Sequence, residues 1–312
     1  MTSDPTYLHS TPQNFYELVW AERQKFVQSL IDNGEKSAYR IINKLARHER
    51  NFTLSLERAN YRYDQPEDGI EEVKIFTGHA EWVPVSHGDA VELLPTGLPV
   101  ATKNSFLGNQ LMVPAYADIS SIAANWIVDL VDADCAAIVE LGCGYGRNLF
   151  NIHNLGGPRD IPYYGAEYTD SGKSLTALLT SLENTIDVRV EHFDHSAPDL
   201  NFLGQEAEIL IFTCHSIEQV ELIPSTYFAD LAQLDKKVTC IHFEPFGFQV
   251  AADNPYSVRQ KKDFSARKWN SNFFEVLGLA AEAGVINLSH VYKDIIPNHE
   301  VSPTSVAIWR NF

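Results

Sequence analysis

The chain holds only four cysteines in 312 residues, Cys135, Cys143, Cys214 and Cys240. None is spaced as C-x-x-C or as a pair of metal ligands, which argues against a disulfide scaffold and against a zinc site. Cys143, Cys214 and Cys240 fall on or beside expected buried strands, where a free thiol behaves as a small hydrophobe. Long apolar runs are missing too. With no stretch of about 18 apolar residues, no membrane span is expected. The opening Met-Thr-Ser-Asp-Pro-Thr lacks a basic segment followed by an apolar one, so no secretory signal is expected and a reducing cytoplasm is the expected compartment. Basic residues are scarce: 24 Lys and Arg stand against 41 Asp and Glu, a formal charge of −17. Such a chain repels a phosphate backbone unless it gathers its cations into one patch. The best cluster, Arg259, Lys261 and Lys262 with Arg267 and Lys268, reads as a short solvated segment. Nucleic acid and membrane are therefore not expected as partners. Acidic residues are plentiful, but no group of them is spaced for Mg²⁺, so metal independence is expected.

What is present is a regular order of elements. Apolar positions recur at helical spacing over 14–33 and again over 37–56, so two amphipathic helices are expected to open the chain. The next stretch is less regular. Residues 60–66 read as an aromatic loop, and 73–76, 80–85 and 90–94 as short strands. Helical pattern returns at 119–130. From there strands and helices alternate: strands at 136–140, 163–168, 188–193, 207–213 and 237–243, with helices at 147–154, 171–184, 227–234 and 273–283. Two further strands, 286–292 and 304–309, have no helix between them. This alternation argues a mostly parallel sheet with helices on both faces.

The first of these strands, Ala136-Ala-Ile-Val-Glu140, runs into Leu141-Gly-Cys-Gly-Tyr-Gly146 and then a helix start at Arg147. Gly142, Gly144 and Gly146 let the backbone approach a ligand closely, and the helix N-terminus offers N–H groups beside it. A dinucleotide fingerprint needs its third glycine where Arg147 stands. The pattern E-x-G-x-G-x-G, led by Glu140, instead resembles motif I of the class I S-adenosylmethionine (SAM) dependent methyltransferases. The resemblance covers residues 119–312 and leaves 1–118 aside. It implies an α/β fold, a Rossmann-like seven-stranded sheet that is mostly parallel with an antiparallel last strand, preceded by an N-terminal helical or mixed region. It also implies SAM as cofactor.

Ligands of open α/β sheets lie outside the carboxyl ends of the strands. Glu167 ends the second strand, where an acid can accept from both ribose hydroxyls; the alternative is a surface glutamate. The resemblance places an adenine-binding acid at Asp194, with Phe193 packing the ring, although Asp194 also suits a turn cap. Cys214 and its neighbours would border the methionine end of SAM. Arg147 stands as either a carboxylate clamp or a solvated helix residue. His215 is the candidate general base because its ordinary pKa suits proton removal near neutrality, and a structural histidine is the alternative. Glu244 is the second catalytic candidate. Glu218 reads as a first-turn acid and His242 as core. The reading is a methyltransferase acting on oxygen or nitrogen of a small molecule, with 1–118 covering the acceptor or forming a homodimer. Tyr61, Tyr63, Trp82 and Tyr116 are available for an acceptor pocket or a core. A protein methyltransferase, a nicotinamide dehydrogenase and a non-catalytic SAM-binding protein are the alternatives.

Overall fold

The computed structural model describes residues 8–9, 12–64, 71–84, 105–107, 110–112, 119–253, 255–296 and 303–312. In chain order it begins β1 (Leu8–His9), α1 (Pro12–Asp32), α2 (Ala38–Asn51), β2 (Phe52–Asp64), β3 (Glu71–Pro84), β4 (Ser105–Leu107) and β5 (Gln110–Met112). It continues α3 (Ile119–Leu130), β6 (Ala137–Leu141), α4 (Arg147–Asn154), β7 (Tyr163–Glu167), α5 (Asp170–Ser181), β8 (Val188–His192) and β9 (Glu208–Cys214). It closes with α6 (Tyr227–Ala232), β10 (Lys237–Glu244), α7 (Gly247–Val250), α8 (Pro255–Arg267), α9 (Phe273–Glu282), β11 (Asn287–Ile296) and β12 (Thr304–Arg310). By contacts the chain divides into two compact units, residues 1–86 with 168–184, and residues 87–167 with 185–312.

In the first unit the two expected opening helices form. The second stops at Asn51, and the chain turns directly into β2, which pairs antiparallel with β3 from Phe52↔Pro84 to Asp64↔Glu71. Three expectations change here. The end of the second helix and the aromatic loop are one strand, and the two short strands around Gly78 are one partner strand. Alternating Tyr61, Arg62 and Tyr63 suit a strand, and cross-strand pairing overrides the local helix and turn preferences. Residues 90–94 and Tyr116 lie outside the described residues. Helix α5 belongs to this unit because α1 packs along it. The Glu17 carboxylate accepts from the N–H groups of Asp170 (2.7 Å) and Ser171 (2.9 Å), and Thr169 Oγ1 accepts from Gly172 (3.2 Å). Two side chains thus satisfy three orphan donors at one helix N-terminus.

The second unit is built on a seven-stranded sheet of order β11-β12-β10-β9-β6-β7-β8. Strands β8, β7, β6, β9 and β10 are parallel neighbours, and β12 runs antiparallel to both β10 and β11. This is the sheet the resemblance implied, with its last strand reversed. Strands β6, β9 and β10 are buried on both faces, so they read as continuous apolar runs rather than alternating ones. One face carries Val139, Ile211, Cys240 and Trp309 against Phe228 of α6 and Phe273 of α9. On the other, Phe243 meets Trp126 of α3 at 5.9 Å between ring centroids. The segment read as solvated around Arg259 is helix α8. Its basic residues are exposed while Ser257, Gln260 and Phe264 point inward, an i, i+3, i+7 face too short of apolar residues to announce itself. No helix among the described residues is long and apolar enough to cross a membrane.

Candidate functional site

The glycine loop leaves the carboxyl end of β6 with Gly142, Gly144 and Gly146 at φ of +79°, +57° and +77°. A side chain disfavours this left-handed region. At Gly142 there is also no room, since a Cβ would lie 2.3 Å from the Ser216 Cβ. Gly146 N-caps α4, whose first turn begins at the crevice end of the sheet.

Carboxylates converge on this loop. Glu167, at the end of β7, accepts the Gly144 N–H through one oxygen at 2.9 Å. Glu140, inside β6 and 1% exposed, accepts from Asn148 Nδ2 at 2.5 Å. Asn148 in turn accepts from Ser120 Oγ of α3 at 2.5 Å. The other Glu140 oxygen, Oε2, is buried with no hydrogen-bond partner. Burial, then the nearby Glu167 charge, pushes the Glu140 carboxyl well above its ordinary range, against the opposing Asn148 bond. Cys214 is half-buried at the end of β9, and its thiol is likewise held protonated by burial and by the charges of Glu140, Glu244 and Glu218, with Arg147 opposing them.

After Cys214 the chain enters a strained turn. His215 has φ +52°, uncommon for a residue with a side chain. Both its ring nitrogens are engaged, Nδ1 with Glu218 Oε2 at 3.0 Å and Nε2 with Thr304 Oγ1 at 2.6 Å. Burial alone would lower the imidazole, but the Glu218 charge and hydrogen bond, with Glu244 beyond, raise it above its ordinary value.

The sequence places Glu244 in a loop just past β10. It is instead the last residue of the strand and fully buried, because pairing with Ser305 of β12 carries the strand one residue further than its apolar run. Its Oε1 accepts from the N–H groups of Ser216 (3.0 Å) and Ile217 (3.2 Å), and Oε2 from Glu218 (3.3 Å). The carboxylate therefore caps the single turn at 217–219 and holds the His215 segment down. Burial pushes it up to about 7, against the His215 charge and the backbone donors.

At β8 the structure adds a residue that sequence reasoning missed. His195 is buried, with Nδ1 2.9 Å from Tyr227 Oη and Nε2 3.1 Å from Ser216 Oγ. Ser216 Oγ gives its proton to Leu141 O at 2.8 Å, so it accepts from His195 Nε2–H, and Nδ1 accepts from Tyr227. Burial holds this imidazole down to about 3, hence neutral. His195 and Ser216 thus tie the β8 end to the β6 end beneath Gly142. Phe193 is buried edge-on to His195 at 5.1 Å. Asp194 uses Oδ1 to accept from both Ser196 N and Ser196 Oγ at 2.7 Å, which is a turn cap. His242 is core, receiving Trp309 Nε1–H at 3.0 Å.

No family model and no curated protein matches the chain. Among solved structures it is similar to magnesium protoporphyrin IX methyltransferase from Synechocystis PCC 6803, with S-adenosylhomocysteine bound, at 11% identity and a TM-score of 0.43 over 62% of this chain and 82% of that one. A SAM-dependent methyltransferase from Aquifex aeolicus shows 13% identity and a TM-score of 0.40 over 61% and 89%. The CcbJ methyltransferase from Streptomyces caelestis shows 14% identity and a TM-score of 0.40 over 62% and 89%. From its own strand order, its reversed last strand and the glycine loop between β6 and α4, the second unit has the fold of the class I SAM-dependent methyltransferases.

Proposed function

We propose that the chain is a SAM-dependent methyltransferase that methylates oxygen or nitrogen of a small molecule. The carrying observation is the ring of carboxyl groups around the loop, one of them with an unpartnered oxygen. Glu140, Glu167, Glu218 and Glu244 gather where the strands end, and the buried Glu140 Oε2 has no partner. A ligand bearing cations favours the ionised form of these carboxyls, whereas the pyrophosphate of a dinucleotide disfavours it. SAM supplies a methyl group on a sulfonium and carries an ammonium group, which the unpartnered Glu140 oxygen suits.

In this reading Gly142 to Gly146 bring the backbone against the ligand, and Glu167 holds the ribose hydroxyls while keeping the loop in shape. Phe193, Asp194 and Cys214 complete the cofactor side. His215 is the group that takes the acceptor proton, on Nε2 in place of the Thr304 hydroxyl, with Glu218 orienting it from Nδ1. Glu244 acts through the 216–218 turn as a positioning residue. Holding acceptor and methyl group in line supplies up to about 7–11 kcal/mol of the barrier reduction, so a base is needed only for a protonated acceptor. Residues 1–118 are assigned the acceptor cover or a dimer contact.

Calorimetric titration with SAM, S-adenosylhomocysteine and NAD⁺ tests the reading. Saturable binding of the first two without the third is expected. NAD⁺ binding with no SAM binding overturns it, and SAM binding without turnover on either small-molecule extracts or peptide arrays leaves a non-catalytic SAM-binding protein.

A further inference from the structure

Residues 247–272, between β10 and α9, form an insert that is latched to the strand-end crevice on both sides. At its start α7 follows directly on the Glu244 end of β10. At its close the N–H groups of Asn270 and Ser271 donate to Val220 O (2.8 Å) and Glu221 O (2.9 Å), just past the turn that Glu244 caps. Gln249 of α7 joins the ends by donating to Asn270 O and to Asn270 Oδ1, and by accepting the Phe274 N–H at 2.8 Å.

Inside this insert, α8 presents Ser257, Gln260 and Phe264 to the interior. Gln260 is completely buried, yet neither its amide oxygen nor its amide nitrogen has a hydrogen-bond partner. Asn270 repeats the pattern. It is 1% exposed at φ +38°, its oxygens are taken by Gln249, and its Nδ2 has no partner. Buried amides are almost always paired, and leaving both ends of one unpaired loses hydration without return. An apolar residue at 260 would extend the aromatic packing in which Phe264 meets Phe248 at 5.2 Å and Trp269 at 5.7 Å. The cations of α8, Arg259, Lys261, Lys262 and Arg267, are all exposed, and the residues it turns inward carry no charge.

We propose that this insert is the acceptor-recognition site and that Gln260, with Asn270, selects a neutral planar acceptor whose edge carries a donor and an acceptor side by side, as a lactam or carboxamide does. The class follows from the chemistry of a carboxamide, which matches such an edge with two hydrogen bonds, and from the inward face of α8, where Ser257, Gln260 and Phe264 carry no charge. The proposal rests on the methyltransferase reading for the word acceptor, but the binding it predicts needs no cofactor.

The test titrates full-length ¹⁵N-labelled protein with 2-pyridone, a lactam, and with benzoate, an anion of similar size, following the side-chain amide signals. Saturable shifts with 2-pyridone and none with benzoate are expected. In Gln260→Met the affinity for 2-pyridone should fall at least about tenfold, while S-adenosylhomocysteine binding is kept. Gln260→Leu, which removes both the donor and the acceptor, serves if the Met variant does not fold. No shift with 2-pyridone, or equal affinity in wild type and variant, overturns the proposal and leaves ordered water as the partner of Gln260. Failure of S-adenosylhomocysteine to bind the wild type would instead overturn the function proposed above, whatever 2-pyridone does.

Discussion

The backbone N–H of Gly144 donates to a carboxylate oxygen of Glu167 at 2.9 Å, so the acid that ends β7 also shapes the loop that follows β6. With the ribose role proposed for it, this carboxylate would have two tasks, and its removal would affect both. Glu167→Ala is expected to weaken SAM binding by about 1.5–3 kcal/mol, the range for hydrogen bonds to a charged group. Glu167→Gln, which keeps an acceptor for Gly144, should lose less. Calorimetry on the two variants checks the order, and equal affinities would remove Glu167 from the ribose site.

Gly142 gives a sharper contrast. Its φ of +79° and the 2.3 Å that would separate an added Cβ from the Ser216 Cβ act together. Gly142→Ala should therefore displace Ser216 and, with it, the His195 bond beneath the loop. Gly284→Ala, at φ +69° with nothing near the added carbon, carries the backbone strain alone. The expected outcome is lost SAM affinity in the first variant and a modest fall in melting temperature without lost affinity in the second.

The glycine loop was legible in the sequence because left-handed backbone after a strand requires glycine, and the helix at Arg147 and the alternating strands followed from periodicity. The partners of the acids were not legible. Ser216 reads as an ordinary loop serine, and only the parallel pairing of β6, β9 and β10 brings it to Leu141 O, His195 and Glu244. Glu244 reads as a loop acid because Pro245 follows it; in the fold it sits at the strand end, capping a turn from the neighbouring strand. Gln260 is hidden for the opposite reason. A lone amide between Arg259 and Lys261 reads as solvent-exposed until the helix phase is known.

Glu140 makes a prediction about protons. Burial holds its carboxyl well above the ordinary range, so it keeps its proton to higher pH than an ordinary glutamate. An ammonium group at Oε2 favours the ionised form and returns the pKa downward. Cofactor binding at pH 7 should then release up to about one proton, and binding should strengthen as pH rises. Titrations in two buffers of different ionisation enthalpy measure the release. Glu140→Gln should abolish it, and a release unchanged in that variant would assign the proton elsewhere.

Stability should depend on pH through Glu244. Between the ordinary value of 4.5 and the folded value of about 7, the unfolded chain is ionised while the folded chain keeps the proton. The native state then binds more protons, so stability is greatest below the lower value and falls as pH rises to the upper one. The fall amounts to about 3 kcal/mol at 1.36 kcal/mol per unit. Urea denaturation of the wild type and Glu244→Gln at pH 5 and pH 7.5 should show most of it as the difference between their two pH changes. The buried His195 and His242, both held down to about 3, add stability over the same range in each. His215, whose raised pKa gives stability that is lost as pH rises through it, contributes with the same sign as Glu244 and remains in the variant.

That same raised value fixes how His215 should appear in turnover. A base must be neutral to accept a proton, and the Glu218 carboxylate at 3.0 Å holds the imidazole protonated to higher pH than usual. With a hydroxyl acceptor and saturating SAM, kcat should therefore rise with pH through a value above 6.5, rather than being flat near neutrality. Glu218→Gln removes the charge that raises the imidazole, so its profile should shift to lower pH with a similar plateau. His215→Ala should lower the plateau by about 10²–10⁴-fold and flatten the profile, with SAM affinity kept. A plateau unchanged in His215→Ala would take the proton from this histidine and leave positioning to carry the reaction.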